Sequence, residues 1–297
     1  MSGSTPKRIA VIGAGGFIGR RLSAAAAAAG NTVHAISSSD GSFDSESGLL
    51  TPPSIDGPLD AVVYLSQSPR YREVPQQASH LWSVNVVSAI VAAQWGRRLG
   101  ARHFIYASSG TIYEPSFTPH RETDPLRRDR GYALSKIHAE EALQQFEDDL
   151  VVTCARCFGV YGPGQQGKII PNLTAAIRRG RSVEIHRHPL DASDTNGVRL
   201  SLGHVDDIVR AFLKLIDQPR PGPINVTSPE VLSIREIAVH IATALGVAPR
   251  FEMAADPREG DVIADTSRVC ELMDRPFASF ALSIRDVVDA GVERSGG

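Results

Sequence analysis

The sequence predicts an α/β protein built on a doubly wound parallel sheet, with a smaller α/β lobe toward the C-terminal side. A glycine-rich turn joins a strand to a helix at the start of the chain. Short apolar runs then alternate with longer helical patterns through the first half, and this alternation weakens in the second half. With 297 residues, 42% of them hydrophobic and 22% charged, the chain is long enough for one or two domains.

The chain opens with a complete strand–turn–helix–strand unit. We predict a strand over Arg8–Ile12, a helix over Arg20–Ala29 and a second strand over Thr32–Ile36. The first turn reads Gly13-Ala14-Gly15-Gly16-Phe17-Ile18-Gly19. Glycines in such a turn allow a sharp bend, a close backbone approach to a pyrophosphate and close packing of the helix on the strand, and the helix N-terminus attracts phosphate. The unit therefore predicts a Rossmann-like dinucleotide site.

The residues expected to contact the dinucleotide lie in this turn, at the start of its helix and at the ends of the next two strands: Gly13, Gly16, Phe17, Ile18, Gly19, Arg20, Ser37 and Leu65. An acidic residue at the end of the second strand would bind the adenosine ribose, but Ser37 stands there and Asp40 comes slightly too late. Serine does not repel a 2′-phosphate, and Arg20 and Arg21 are close enough to pair with one. The cofactor is therefore expected to be NADP or NAD, with a modest preference for NADP.

The alternation of strands and helices continues to about residue 154. The predicted strands are Asp60–Ser66, His103–Ala107 and Leu150–Cys154, and the predicted helices are His80–Leu99 and a helix from Tyr132 to about Phe146. Residues 41–58 and 114–130 are predicted loops. Hydroxyl side chains follow the strand that begins at His103, at the end where parallel sheets place ligands.

One predicted helix carries a tyrosine and a lysine four residues apart. Tyr132 and Lys136 would lie on the same face of that helix. The phenol has a reference pKa of about 10, and a neighbouring cation lowers the pKa of a phenol. The pair could then exchange a proton with a substrate hydroxyl or carbonyl. The alternative is an ordinary surface helix with an incidental tyrosine and lysine. A cofactor site and a third polar partner elsewhere in the chain would favour the catalytic interpretation over this alternative.

Composition excludes several other classes of function. The net charge is −2, so we expect no nucleic-acid partner, and no apolar run is long enough to span a membrane. Cys154 and Cys157 lie three apart on a predicted strand and would point to opposite faces, so we expect neither a redox pair nor a metal site. Three cysteines and the lack of a signal peptide favour the cytoplasm.

The second half of the chain is predicted to be less regular. We expect a helix near Pro171–Arg179, a strand near Val183–His186, a surface insertion over 188–197, a helix from Val205 to about Ile216, a strand over Ile224–Val226 and a helix opened by the capping box of Ser233 and Glu236. From Phe251 onward we expect a small, irregular lobe. The expected dinucleotide-binding domain is 1–162, to which 200–226 returns, and the expected substrate lobe is 163–199 with 227–297.

Eight ordered motifs resemble those of the extended short-chain dehydrogenase/reductases, in particular the NAD-dependent epimerase/dehydratase family. They are the turn of Gly13, Gly16 and Gly19, the strand Asp60–Ser66, Asn85-Val86, Ser108–Tyr113, Tyr132 with Lys136, Arg156–Gly164, His204–Asp207 and Arg258–Asp261. The resemblance covers nearly the whole chain and implies the Rossmann-like fold with a substrate lobe. It also implies that two copies pair through their long helices into a homodimer.

The resemblance assigns roles to individual residues. It implies Ser109, Tyr132 and Lys136 as the catalytic set, with Tyr132 and Lys136 also contacting the cofactor, and Thr111 as a substrate contact. Arg199 and Arg258 are candidates to hold a diphosphate, because guanidinium groups match phosphate oxygens, although either could equally form a surface ion pair.

Departures from the family pattern limit what the resemblance implies about the reaction. Gly159 replaces an asparagine that commonly contacts substrate, and Gly110-Thr111 replaces the acidic pair of dehydratases, which disfavours dehydration. The expected function is an NAD(P)-dependent epimerase or oxidoreductase acting on a nucleotide-linked sugar. An NADPH-dependent reductase of a non-sugar carbonyl compound and a non-catalytic dinucleotide-sensing module are the alternatives.

Overall fold

A computed structural model describes residues 5–292 in two compact units. Unit 1 comprises Met1–Glu114, Pro125–Cys157 and Val209–Ile224, and unit 2 comprises Pro115–Asp124, Phe158–Ile208 and Asn225–Gly297. The expected boundaries therefore differ in detail from this division. The segment that returns to the first unit is 209–224 rather than 200–226, and 115–124 belongs to the second unit. The parts of these ranges before residue 5 and after residue 292 lie outside the described residues.

The strands and helices of the described residues are as follows. The strands are β1 (Arg8–Ile12), β2 (Thr32–Ile36), β3 (Ala61–Tyr64), β4 (His103–Ser109), β5 (Val151–Cys157), β6 (Gly159–Tyr161), β7 (Ser182–Ile185), β8 (Arg199–His204), β9 (Gly222–Val226), β10 (Val231–Ser233) and β11 (Arg250–Met253). The helices are α1 (Gly19–Ala28), α2 (Ala78–Trp82), α3 (Ser88–Arg98), α4 (Gly131–Leu143), α5 (Ile169–Arg178), α6 (Val205–Asp217), α7 (Ile234–Leu245), α8 (Ser267–Cys270) and α9 (Phe280–Val292).

Unit 1 is organised around a six-stranded sheet in the order β2-β1-β3-β4-β5-β9. The pairs β1–β2, β1–β3, β3–β4 and β4–β5 are all parallel. The strand order reverses direction at β1, so the gap between the ends of β1 and β3 is the switch point at which such sheets bind ligands. This confirms the predicted doubly wound α/β sheet.

Two predicted strands of this sheet are longer in the structure. β4 and β5 stay paired to their ends, where Ser109 lies opposite Cys157. By sequence alone, the polar residues Ser108 and Ser109 mark the end of a strand. In the structure, parallel pairing with β5 extends β4 through both of them. The extension carries Ser109 to the edge of the sheet as a strand residue.

The predicted helix over His80–Leu99 is interrupted in the structure. A π-helical turn over Ser83–Val87 separates α2 from α3. The Tyr64 hydroxyl donates to the carbonyl of Val84, and the Tyr106 hydroxyl donates to the carbonyl of Asn85. Both phenols thus bond carbonyls within the π-helical turn, and such turns are frequent at functional sites. Helical periodicity alone does not reveal them.

Unit 2 contains a three-stranded sheet, β10-β8-β6, and a parallel pair, β11-β7. Its core includes Tyr161, Ile185, Ile237 and Phe280, all nearly inaccessible to solvent. The expectation of an irregular lobe after Phe251 is too simple, because β11 and α9 lie there. A strand of four residues is stabilised by its pairing with β7 and has no periodicity long enough to detect.

The predicted capping box at the start of α7 is confirmed. The Glu236 N–H donates to the Ser233 hydroxyl at 3.2 Å, and the Ser233 N–H donates to the Glu236 carboxylate at 2.8 Å.

Among residues 5–292, no helix is long and apolar enough to cross a membrane.

A buried histidine at the start of β4 gives unit 1 a pH-dependent stability. His103 is 3% exposed, and its Nε2 lies 2.8 Å from the Thr153 hydroxyl. Burial lowers the pKa of His103 to about 4, and the Lys7 charge contributes in the same direction. In the unfolded chain the pKa is about 6.5. Between these values the unfolded state binds a proton that the folded state excludes, so stability is lost as the pH falls.

We expect His103→Gln to reduce the loss of stability between pH 7 and pH 5. The histidine contributes about 2 kcal/mol to that loss, because each unit of pKa difference is worth about 1.4 kcal/mol. Denaturant unfolding at the two pH values measures the effect. His240→Gln, a half-buried histidine elsewhere, serves as the matched control. An unchanged pH dependence in His103→Gln would show that another group is responsible.

Candidate active site

The glycine turn after β1 forms a close backbone contact with the chain leaving β3. Gly13 has a φ of 89°, and a Cβ placed on it would lie 2.8 Å from the Ser66 nitrogen and 2.9 Å from the Leu65 carbonyl carbon. A Cβ on Gly19 would lie 2.1 Å from the Gly13 oxygen. Glycine is therefore required at both positions. The structure brings three predicted cofactor residues, Gly13, Gly19 and Leu65, together at the switch point of the sheet.

The N-terminus of α1 is suited to hold an anion. Its N-cap residue, Ile18, makes no side-chain capping hydrogen bond, and the first turn contains no acidic residue. The first N–H groups of a helix have no partner within it, and together they form the positive end of the helix dipole. Phe17 and Gly16 lie in the turn just before this end, with Gly16 donating to the Gly13 oxygen at 3.0 Å. The predicted residues thus fit a dinucleotide pyrophosphate.

The end of β2 is polar, and its single acid is bonded within its own turn. The Asp40 carboxylate accepts hydrogen bonds from the N–H groups of Ser37 at 2.8 Å and Ser42 at 2.9 Å. The Ser37 hydroxyl lies 2.7 Å from that of Ser39. Ser37 also lies beside the glycine turn, since a Cβ on Gly15 would be 3.5 Å from the Ser37 Cβ. Asp40 therefore caps its own turn, and Ser37 occupies the position beside the glycines.

Two arginines lie at the start of α1. The guanidinium of Arg21 lies 4.6 Å from the centre of the Phe17 ring and donates to the Phe17 carbonyl. The guanidinium of Arg20 lies 5.6 Å from the same ring, and Arg20 is exposed. Both guanidinium groups thus lie beside the Phe17 ring, close to the glycine turn at the start of α1.

The predicted catalytic tyrosine lies in the first turn of α4. The Tyr132 hydroxyl donates to the Gln67 side-chain oxygen at 3.0 Å, and the Tyr71 ring lies 5.3 Å from the Tyr132 ring. Burial raises the pKa of Tyr132, a hydrogen bond with Ser109 acts in the opposite direction, and nearby Cys157 and Tyr71 raise the pKa further. The sequence predicts that Lys136 lowers this pKa. In the structure burial raises it instead, and the phenol is protonated near neutral pH.

The predicted catalytic lysine is buried on α4, one helical turn after Tyr132. Lys136 is 2% exposed, and its ammonium donates to the Ala107 carbonyl on β4 at 2.8 Å. Burial lowers the pKa of Lys136 to about 8, whereas Cys157 and Glu140 act to raise it. The ammonium is therefore held by the strand, and a modest change in its surroundings would alter its protonation near neutral pH.

Ser109 and Thr111 lie together at the carboxyl end of β4. The Ser109 hydroxyl accepts from the Thr111 N–H at 3.2 Å and lies 2.9 Å from the Thr111 hydroxyl. Ser109 is buried and Thr111 exposed. The sequence-predicted pair is thus brought to one edge of the sheet, where Ser109 is close enough to Tyr132 to affect its pKa.

Sequence reasoning missed two polar groups that are tied to Tyr132, one directly and one through Ser135. Gln67 follows β3 and accepts the Tyr132 hydroxyl, and its place just after a strand end is the signal that could have found it. Asn85 is fully buried, and its amide donates to the Ser135 hydroxyl at 3.0 Å. Ser135 in turn donates to the Tyr132 carbonyl at 2.8 Å. In the sequence Asn85 is recognised only as part of a motif. No pattern in the sequence shows that it contacts α4.

A buried ion pair supports α4 behind the lysine. Arg156 on β5 bonds the Glu140 carboxylate through two nitrogens, the shorter contact being 2.7 Å, and donates to the Tyr113 hydroxyl at 2.9 Å. Glu140 lies four residues after Lys136, on the same face of the helix. The pair fixes α4 against the sheet, and the carboxylate behind the ammonium is shared with Arg156.

The two arginines predicted to bind a diphosphate lie in unit 2 and are paired with carboxylates. Arg258 is buried, donates to Asp261 at 2.9 Å and forms a close ion pair with Asp194. Arg199 donates to Asp261 at 2.7 Å and to the Phe117 carbonyl at 2.8 Å. Burial acts to raise the pKa of Asp194, but hydrogen bonds from Arg258 and from two backbone N–H groups hold it at about 2. The phosphate role of both arginines stays a prediction.

Comparison with known proteins gives a consistent picture. The NAD dependent epimerase/dehydratase family matches residues 9–227. A dTDP-4-dehydro-6-deoxy-D-allose reductase of Streptomyces sp. is 32% identical over 193 residues, which are 60% of this chain and 57% of the reductase. A GDP-6-deoxy-D-mannose reductase of Pseudomonas aeruginosa is 29% identical over 266 residues, 84% of each protein. The chain thus spans little more than half the length of the Streptomyces relative.

Solved structures share the fold. The UDP-N-acetylglucosamine 4-epimerase of Methanobrevibacter ruminantium has a TM-score of 0.79 and 21% identity, covering 98% of this chain and 100% of that chain. The UDP-glucose 4-epimerase of Thermus thermophilus, solved with NAD, has a TM-score of 0.73 and 22% identity, covering 95% of this chain and 98% of that chain. The glycine turn, the Tyr132–Lys136 pair and the match over residues 9–227 together show that this chain belongs to the NAD dependent epimerase/dehydratase family.

Proposed function

We propose that this protein is an NAD(P)-dependent oxidoreductase or epimerase acting on a nucleotide-linked sugar. The observation that carries the proposal is the meeting of Ser109, Tyr132 and Lys136 at the sheet edge that also holds the glycine turn. The curated relatives named above are both reductases of nucleotide-linked deoxysugars, which supports this substrate class. A bound nicotinamide dinucleotide supplies the hydride acceptor or donor.

The side chains divide the remaining work. Tyr132 exchanges a proton with the reacting hydroxyl through its phenol oxygen, and Ser109 hydrogen-bonds the same substrate oxygen. Lys136 supplies the positive charge that stabilises the phenolate of Tyr132 once the proton has left, and holds the nicotinamide ribose. Thr111 contacts the sugar. The Gln67 side chain, which accepts the Tyr132 hydroxyl at 3.0 Å, orients the phenol before substrate binds.

Tyr132→Phe is expected to abolish turnover while the cofactor still binds. The change removes one hydroxyl and keeps the ring against Tyr71, so α4 stays in place. General acid–base catalysis contributes about 10²–10⁴-fold in rate, so kcat should fall at least that far. Tyr71→Phe is the matched control, with turnover near the wild-type level. If Tyr132→Phe retained activity, the proton donor would have been assigned wrongly.

A single assay separates the reaction types. An epimerase interconverts nucleotide sugars with catalytic cofactor and no external reductant, whereas a reductase consumes one equivalent of reduced cofactor per product. Turnover of a 4-keto nucleotide sugar with loss of NADPH absorbance would favour the reductase, the activity named for both curated relatives. If the protein bound cofactor but turned over neither sugar nucleotides nor other carbonyl compounds, the dinucleotide-sensing alternative would be preferred.

We further propose a preference for NADP over NAD. Ser37 stands where an acid would select NAD, Asp40 is bonded to its own turn, and Arg20 is exposed at the start of α1. A 2′-phosphate near Ser37 would therefore meet no carboxylate aimed at it and would have a cation within reach.

Ser37→Asp is expected to weaken NADP⁺ binding by about tenfold or more and to leave NAD⁺ binding unchanged or improved. A like-charge contact near the surface costs about 1–4 kcal/mol. Calorimetric dissociation constants for the two oxidised cofactors measure the effect, with Ser39→Asp as the matched control on the same turn. Clearly tighter binding of NAD⁺ by the wild-type protein would refute the preference.

A second candidate function has one observation in its favour. Arg258, the better buried of the two diphosphate candidates, is paired with both Asp194 and Asp261. The two arginines and two aspartates of this cluster sum to no net charge, which provides little attraction for a diphosphate. This arrangement fits an NADPH-dependent reductase of a non-sugar carbonyl compound.

Asp194→Asn distinguishes the two substrate classes. If Arg258 binds a diphosphate, removing the competing carboxylate should tighten binding of UDP and dTDP by about tenfold, because one charged hydrogen bond is worth about 1.5–3 kcal/mol. Asp191→Asn, an exposed position in the same loop, is the control. Unchanged nucleotide affinity in Asp194→Asn, with turnover of simple carbonyl compounds, would favour the second candidate.

Two expectations from the sequence complete the proposal. We propose a homodimer in which α3 and α4 of two copies pair, and Val87, 42% exposed just before α3, is an apolar residue available for such contacts. We also propose that the protein is located in the cytoplasm.

A further inference from the structure

A fully buried tyrosine that belongs to none of the predicted sites lies against the catalytic lysine. Tyr106 on β4 has no exposed surface, and the Lys136 ammonium lies over its ring, 4.7 Å from the ring centre. The Tyr64 ring stacks on it with the ring centres 5.9 Å apart and the planes inclined by 22°. Tyr106 immediately precedes Ala107, whose carbonyl accepts the ammonium. One strand thus presents both a carbonyl and an aromatic face to the same cation.

The hydroxyl of Tyr106 fixes the orientation of that ring. It donates to the Asn85 carbonyl at 3.0 Å, within the π-helical turn Ser83–Val87. The Asn85 side chain also bonds Ser135, and Ser135 bonds the Tyr132 carbonyl. The same turn is therefore tied both to the ring beneath Lys136 and to the helical turn that carries Tyr132. The ring cannot rotate away without breaking a buried hydrogen bond.

Burial of Lys136 requires compensation that the carbonyl alone does not provide. An ammonium has three donors, and removal of a charge from water is costly unless it is paired. The charged and titratable groups facing it are Glu140 from α4, Cys157 from β5 and Tyr106 from β4; Glu140 is already paired with Arg156. An aromatic face attracts a desolvated cation by about 2 kcal/mol. Glu140 is shared with Arg156, and burial raises the pKa of the Cys157 thiol so that it stays protonated near neutral pH. The Tyr106 face is then a source of negative potential beside the ammonium.

We propose that Tyr106 is a positioning residue: its ring holds the Lys136 ammonium in the charged form beneath Tyr132, and its hydroxyl, bonded to Asn85, holds the ring. The proposal rests on the proposed function, since it concerns the lysine of that site. It adds a residue outside the Ser109, Tyr132 and Lys136 set and gives the π-helical turn a role in the chemistry.

Titration of Lys136 by NMR tests the proposal without any substrate. The chain contains only four lysines, Lys7, Lys136, Lys168 and Lys214, so ¹³C-labelled lysine gives few signals, and Lys136→Arg assigns the relevant one. In Tyr106→Leu we expect the pKa of Lys136 to fall by about 1.5 units, since loss of the ring removes an attraction of about 2 kcal/mol and each unit is worth about 1.4 kcal/mol. The alkaline limb of the kcat–pH profile should move to lower pH by the same amount.

A series of matched aromatic residues at position 106 covers the case in which Tyr106→Leu does not fold. Phenylalanine and trifluorophenylalanine have nearly the same shape, but fluorination withdraws the negative charge from the ring face. Tyr106→Phe keeps the ring and loses the hydroxyl bonded to Asn85, so the pKa of Lys136 should fall by less than in Tyr106→Leu, and the fluorinated residue should lower it further than phenylalanine does. Tyr64→Phe, which loses the neighbouring hydroxyl only, should leave it unchanged.

The two failures can be told apart. If the Lys136 titration is the same for the phenylalanine and trifluorophenylalanine proteins and in Tyr106→Leu, Tyr106 is a packing residue and the proposal is wrong, whatever the protein catalyses. If the titration responds as expected but no carbonyl or sugar nucleotide is turned over, the positioning role stands and the proposed function fails.

Discussion

The parallel register of β1, β3, β4 and β5 is the constraint on which the site depends. Because these strands pair in parallel, their carboxyl ends meet at one edge, and three of them deliver a part of the site there. β1 is followed by the glycine turn, β3 is followed by Leu65 and Gln67, and β4 ends in Ser109. The close approach of Gly13 to the Leu65–Ser66 backbone, which only glycine permits, joins the first two of these parts. The remaining part, α4, is positioned by what it packs against.

Charge burial governs how α4 is positioned. Lys136 and Glu140 both face the sheet and are almost inaccessible, so each needs a partner on a strand. Glu140 takes Arg156 on β5, and Lys136 takes the Ala107 carbonyl and the Tyr106 ring on β4. These contacts fix the height and rotation of the helix. They also explain why Tyr132 lies next to Ser109: the helix cannot slide along the sheet without separating a buried ion pair, which is costly.

In unit 2, the charges of the candidate arginines are compensated by nearby carboxylates. Its arginines are matched by carboxylates, with Asp261 shared between Arg199 and Arg258 and Asp194 supplied by the loop after β7. The charges of these four side chains compensate one another. A diphosphate would have to compete with Asp194 for Arg258.

The sequence by itself determined the parts whose signals are local. The glycine turn, the apolar strands, the capping box of Ser233 and the four-residue spacing of Tyr132 and Lys136 depend on periodicity and turn chemistry, which short windows contain. The order of the motifs along the chain indicates the family to which the protein belongs. Tertiary structure decided which groups meet across sequence: the π-helical turn at Asn85, the Gln67 contact to Tyr132, the Tyr106 ring under Lys136 and the pairing of Arg258 with Asp194. It also reversed the expected direction of the Tyr132 pKa, because desolvation depends on packing from every side, and no spacing along the chain records how deeply a side chain will be buried.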